Sequence, residues 1–264
     1  MKIKRLDLKK KMTKTKILLY DIENSPSLGW VWQKWETNVI DFDKEWYMLS
    51  FAFKWLGDKS VKSYALPDFK GYNKDKTNDR QLVEKLHELI SEADMIVHHN
   101  GDRHDIRKSN ARFLYHGLTP PSPYKTIDTK KVAKRHFLFN SNSLDSLCKH
   151  LELGEKIDTG GFELWLGCMS GDKKSWRNMI RYNKYDVVLL EKLYYKLLPW
   201  ISNHPNIGMF LSEEVCPKCG SSKLQSRGFS RTLTSLFRRL QCQDCGGWSR
   251  MPYKDSKINS LRNA

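Results

Sequence analysis

Asp21 and Glu23 stand two residues apart at the end of the run Lys16 to Ile22 (KILLYDI). That β-branched and leucine-rich run reads as a buried strand. A strand repeats every two residues, so both carboxylates point to one face and Ile22 to the other. Carboxylates side by side repel, and no basic residue separates them in the sequence. A hard divalent cation such as Mg²⁺ or Mn²⁺ prefers oxygen ligands of this kind and resolves the repulsion. A solvated strand end is the plain alternative. Asp105 follows the segment His99-Asn100-Gly101-Asp102-Arg103-His104 near a helix start, and Tyr182 and Asp186 lie four apart on one face of a long helix. Val187, Val188, Leu189 and Leu190 follow Asp186, so its carboxylate needs a partner or a metal to offset burial.

A second set of ligands is sulfur. Cys216-x2-Cys219-Gly220 and Cys242-x2-Cys245-Gly246 form two CxxC pairs with 22 residues between them. Four thiolates match one closed, tetrahedral, structural Zn²⁺ site, and each following glycine allows the turn around the ion. Redox pairs are the alternative. Arg227, Arg231, Arg238 and Arg239 lie between the pairs with Phe229 and Phe237, a mixture that suits nucleic-acid binding. A ribbon that binds protein, or that only stabilises the C-terminal part, stays open. Cys148 and Cys168 sit in apolar helical contexts and read as core thiols.

The elements that must hold these ligands can be read from the pattern, which predicts strands over 47–55 and 61–66 joined by a Leu56-Gly57-Asp58-Lys59 turn. It predicts helices over 79–93, 105–116 and 143–151, and a long helix over about 175–200. Short strands are predicted over 95–98 and up to Ile127. The expected organisation is a basic extension over 1–14, an α/β body over 15–203, a linker over 204–214, a small β zinc ribbon over 215–253 and a basic tail over 254–264. Met12 is a possible alternative start.

The set Tyr20-Asp21-Ile22-Glu23, His99-Asn100-Gly101 with Asp105, and Tyr182-x3-Asp186 resembles the three motifs of the DEDD superfamily of 3′–5′ exonucleases. The tyrosine of the third motif resembles the tyrosine branch; a histidine branch would have His at 181, which is Arg. The resemblance implies a ribonuclease H-like mixed sheet flanked by helices over roughly residues 15 to 200. It implies that Asp21, Glu23, Asp105 and Asp186 hold two Mg²⁺ or Mn²⁺ ions and that Tyr182 orients the attacking water. It also implies a nucleic-acid substrate, DNA favoured, with a 3′ end. One departure is His104, where the family commonly has a large apolar residue. Tyr185 competes for the tyrosine role but should point away from the face of Asp186. A ribonuclease H-like endonuclease of the transposase-like or junction-cutting kind, and a non-catalytic nucleic-acid-binding protein, are the alternatives.

Neighbouring polar residues have plainer readings. His98 and His99 are expected to pack or hydrogen-bond at a strand end. Asn100 either caps its loop or contacts nucleic acid. Asp128 is expected to cap a helix, Asp145 to be a surface or cap residue, and Lys156 to be an ordinary exposed lysine, although it could touch a phosphate. Trp30, Trp32, Trp35 and Trp46 form either a stacking platform for unpaired bases or a hydrophobic lid or hairpin over the core.

The chain's 264 residues carry 46 Lys and Arg against 30 Asp and Glu, a formal charge of +16. Residues 1–16 carry +7 and residues 215–264 carry +8, which leaves +1 for the body. Basic ends suit a polyanion; a solubilising tail is the alternative for the N-terminal lysines. No run of about 18 apolar residues offers a membrane span, and the basic start lacks a secretory apolar core. The expected setting is cytoplasmic, in a bacterial or phage-infected cell, with cysteines kept as thiols or metal ligands.

Overall fold

The computed structural model describes residues 15–35, 38–209 and 214–253. The expected extension over 1–14 and tail over 254–264 lie outside the described residues, as does part of the expected linker. The chain divides into two compact units, one spanning Lys16–Tyr194 and one that takes in the residues from Tyr195 onward.

The first unit is built on a five-stranded mixed sheet. In spatial order its strands are β5 (Lys62–Ala65), β4 (Met48–Trp55), β1 (Ile17–Asn24), β6 (Met95–His98) and β7 (Lys125–Asp128). β4 runs antiparallel to β1, whereas β6 and β7 run parallel. Ile17 to Tyr20 are all buried, as the unbroken apolar run requires of a strand covered on both faces. The β4–β5 hairpin turns at Gly57, whose φ of 100° favours glycine.

Helices close the sheet. They are α1 (Arg80–Glu92), α2 (Asp105–Tyr115), α3 (Thr129–His136), α4 (Leu144–His150), α5 (Glu163–Ser170) and α6 (Lys173–Leu197). Leu82, Leu86 and Ile90 of α1 pack with Leu18, Tyr20, Phe51 and Phe53 of the sheet. Asp128 caps α3 and Ser143 caps α4 with side-chain hydrogen bonds. The long helix stops at Leu197, three residues short of its expected end. Leu198–Trp200 tightens into a 3₁₀ turn around Pro199, which has no N–H to continue the ladder.

One buried polar network had no signal in the pattern. Asp79 is fully buried and accepts from Met48 N at 2.8 Å and from Arg112 Nε at 2.7 Å; His116 Nε2 lies 2.6 Å from it. It ties the start of β4 to α2.

A separate two-stranded hairpin, β2 (Leu28–Trp30) with β3 (Asp41–Lys44), occupies the tryptophan-rich stretch. The stretch is a hairpin, but Trp32 and Trp35 are 83% and 86% exposed, so these two do not cover the core as the lid-or-hairpin reading expected. Trp46 departs from the other three and lies under Lys108, whose Nζ is 3.7 Å from the ring centroid.

The second unit contains a three-stranded antiparallel sheet ordered β10 (Trp248–Pro252), β9 (Leu236–Cys242), β8 (Leu224–Arg231).

Candidate functional site

The strand period brings Asp21 and Glu23 to one face of β1 while Ile22 is buried on the other. Their cross-strand partners on β4 are Ala52 and Ser50, both small, which leaves space beside the carboxylates. α6 supplies Asp186, and ligand oxygens of Asp21, Glu23 and Asp186 lie within 4.8 Å of one another. Asp105, at the start of α2, stands outside that trio but next to it. It is buried, and its Oδ1 accepts from Ile22 N at 3.4 Å.

The electrostatics follow from crowding. Burial, then the charges of Asp105, Glu23 and Asp186, holds the Asp21 carboxyl well above the usual range. Burial and Asp186 push Glu23 up to about 8. Burial also raises Asp186, against the pull of Lys156.

Asp186 Oδ2 accepts from Lys156 Nζ at 2.5 Å, and the same ammonium donates to the Tyr182 hydroxyl at 3.0 Å. Lys156 is therefore a half-buried member of the site and not an ordinary exposed lysine. Burial would lower its pKa, but Asp186 and Tyr182 outweigh burial and raise it. Asp145 holds the lysine's backbone by accepting from Lys156 N at 2.8 Å. It is a partly exposed surface residue, ion-paired with Lys149 at 2.9 Å, while Ser143 caps α4. Tyr182, one helical turn before Asp186, has its hydroxyl kept protonated by burial and by Glu23 and Asp186. Asn183, fully buried, donates from Nδ2 to Asp21 Oδ2 at 2.8 Å and to Asp21 O at 3.2 Å, while its Oδ1 accepts from Ser50 Oγ at 3.3 Å. Asn183 did not stand out in the sequence, and Lys156 did so only as a lysine that could touch a phosphate, since a tertiary pairing leaves no local spacing to find.

The loop after β6 is held by identifiable contacts. His98 is fully buried, and its Nδ1 accepts from Gly101 N at 3.0 Å. A Cβ at Gly101 would fall 2.5 Å from the imidazole Cγ, so only glycine fits there. His99 lies between Thr129 Oγ1 and Asn142 O at 2.9 and 3.0 Å, and burial lowers its pKa to about 4. Asn100 adopts φ 65° and donates its N–H to Asp128 Oδ1 at 2.9 Å. His104 is exposed and lines a groove with Glu23, Lys108, Phe162 and Trp165, so the missing apolar residue leaves no gap in the core.

Both clusters suit metal ions. Asp186 Oδ1 is buried with no hydrogen-bond partner, an oxygen left for a ligand. In the second unit the sulfurs of Cys216, Cys219, Cys242 and Cys245 all lie within 4.8 Å of one another. Cys216 and Cys245 are 3.6 Å apart, as are Cys219 and Cys242. Four zinc–sulfur bonds of ~2.3 Å at tetrahedral angles put sulfurs about 3.8 Å apart. Gly220 and Gly246 take φ of 76° and 73° immediately after each pair. The four cysteines thus fit a zinc site.

The four arginines do not form a single patch. β9 places consecutive Arg238 and Arg239 on opposite faces, Arg238 with Phe229 and Arg239 with Arg250. Arg227 and Arg231 are exposed on β8. No helix among the described residues is long and apolar enough to cross a membrane.

A family model described as RNase_H superfamily matches residues 35–198. The match takes in Asp105, Tyr182 and Asp186 and begins after Asp21 and Glu23. No curated protein matches the chain. Among solved structures, the family B DNA polymerase from the hyperthermophilic archaeon Pyrobaculum calidifontis is similar, with a TM-score of 0.54 and 15% identity over 83% of this chain. The chain spans 31% of that polymerase. At that identity the likeness speaks for the fold.

Proposed function

The chain belongs to the RNase_H superfamily, and from its acidic cluster we propose that it is a metal-dependent nuclease, specifically a 3′–5′ exonuclease. The observation that carries this reading is the convergence of Asp21, Glu23 and Asp186 beside the Tyr182 hydroxyl and the Lys156 ammonium. Asp21, Glu23 and Asp186, with Asp105 alongside, would hold two Mg²⁺ or Mn²⁺ ions. Divalent ions bound there supply the charge that turns water into a nucleophile and steadies the departing 3′ oxygen.

The rest of the chemistry belongs to the side chains. Tyr182, protonated at neutral pH, offers an O–H to orient water over the phosphorus. Lys156 presents a permanent positive charge to the same point, where negative charge grows on the phosphoryl oxygens. Asn183 keeps Asp21 turned toward the site. The groove lined by Glu23, Lys108, Phe162 and Trp165 offers a cation and aromatic rings to a terminal nucleotide. Asn100 and the arginines 227, 231 and 239 would contact the strand, Arg238 facing the other side of β9, and one Zn²⁺ on the four cysteines would hold the ribbon together.

The test uses end-labelled DNA and RNA oligonucleotides, free or blocked at the 3′ end, and a circular single strand, each with and without Mn²⁺. A 3′–5′ exonuclease shortens the free ends, spares the blocked ends and the circle, and is silenced by Asp186→Ala. Cutting of the circle would make the enzyme an endonuclease, and activity retained by folded Asp186→Ala would remove the assignment altogether.

A further inference from the structure

Trp248 and Arg250 of β10 share a face of the ribbon sheet with Arg239 of β9, since Arg250 pairs directly with Arg239 and side chains alternate. Two guanidinium groups directly opposite each other across an antiparallel pair repel. No carboxylate among the described residues forms an ion pair with either. Arg250 lies instead over the Phe237 ring, 4.4 Å from its centroid, which holds the guanidinium out over the same face. Residues 215–253 carry seven Lys and Arg against one Asp, and that Asp, Asp244, is paired with Lys223.

Beside these arginines the surface is aromatic. Trp248 is 50% exposed. With Trp200, Arg239, Arg250 and Ser230 it lines an open groove of about 550 Å³. A buried contact fixes the wall of the groove that carries Trp200, because Lys218 Nζ donates to Pro199 O at 2.6 Å. An aromatic plane next to two cations with no ion-pair partner among the described residues matches the repeating unit of an unpaired strand, one flat base for each phosphate. A duplex hides its base faces except at its ends, and an acidic peptide does not supply one flat ring for each negative charge.

We propose that this groove binds single-stranded nucleic acid, with a base stacked on Trp248 and phosphates held by Arg239 and Arg250. Trp200 forms the second wall. The opposite face, with Arg238, is not part of the site. The proposal shares with the nuclease reading the class of ligand and Arg239, and it concerns binding and not hydrolysis.

Fluorescence anisotropy on the full chain tests it, without added divalent ion so that no cutting intervenes. The probes are labelled dT15, rU15, an abasic 15-mer that keeps its phosphates but lacks bases, and a blunt duplex. Trp248→Ala should weaken dT15 or rU15 roughly tenfold and leave the abasic strand unchanged, whereas Trp248→Phe should bind like wild type. Arg239→Gln with Arg250→Gln should weaken both kinds of strand. It should also reduce the salt dependence by about 0.7 log units per log unit of salt for each lost phosphate contact. Arg238→Gln, on the other face, should change little.

Zinc content of one ion per chain certifies each variant. Wild-type binding by Trp248→Ala and by the double arginine variant, or an equal loss in Arg238→Gln, would overturn the proposal. So would a preference for the duplex. If the binding pattern holds while no substrate is hydrolysed, the nuclease reading fails and the groove stands.

Discussion

The ammonium of Lys156 reaches the carboxylate of Asp186 across 30 residues of sequence, with Nζ 2.5 Å from Oδ2. One positive charge thus partly neutralises a crowded set of carboxylates. Lys156→Met should therefore act in two opposing ways. It removes a competitor for Asp186, so Mn²⁺ affinity measured by calorimetry should hold or rise. It also removes positive charge from the point of reaction, so kcat should fall by about 10²-fold. Unchanged kcat would show that the lysine only balances charge.

Glu23 predicts a pH effect. Its carboxyl titrates at about 8 in the fold against an ordinary 4.5. The folded value is the higher one, so the protonated group stabilises the metal-free fold fully below pH 4.5, and that contribution disappears as pH rises to about 8. Glu23→Gln lacks this titration. Measured without divalent ions, the Tm of wild type should fall relative to Glu23→Gln across that window. Mn²⁺ should restore it, and Mn²⁺ affinity should climb over the same range because binding displaces protons. A Tm difference that stays flat with pH would refute this account.

Zinc loss should be local. Cys216→Ser should reduce zinc content from one ion per chain to near none by elemental analysis. Hydrogen exchange should then speed up over residues 216–253, while the β1 and β6 amides keep their protection. Retention of the ion by the variant would show that these four sulfurs are not its ligands.

Breaking the buried Asp79–Arg112 pair should weaken the first unit. Arg112→Leu strands a fully buried carboxylate with only Met48 N and His116 for company. The expected cost is about 3–5 kcal/mol by urea unfolding, the usual penalty for removing one partner of a buried ion pair. A loss below about 1 kcal/mol would mean that His116 takes over the charge.

Local chemistry was legible in the sequence, and tertiary pairing was not. Asp21 and Glu23 had to share a face because strands repeat every two residues. Tyr182 and Asp186 had to align because helices turn every 3.6. The two CxxC-Gly pairs announce a turn around one ion. Lys156 could be named as a possible phosphate contact, but its pairing with Asp186 could not, because that depends on Asp145 gripping its backbone and on α6 arriving beside it. Asn183 sits in plain view between Tyr182 and Asp186, yet its role depends on Ser50 and Asp21 in two other elements. Arg238 and Arg239 look like one basic patch in one dimension. The β9 pleat divides them, and it brings Arg250 to Arg239 from a strand beyond the second cysteine pair.

β1 contributes Asp21 and Glu23 at the opening of the first unit, and α6 contributes Asp186 near its close. A ribosome must therefore finish almost the whole unit before the acidic trio can come together. Any product truncated ahead of Asp186 lacks the oxygen that completes it. On the nuclease reading, such a copy would lack the full set of metal-holding oxygens, and cutting would wait for the fold that carries them.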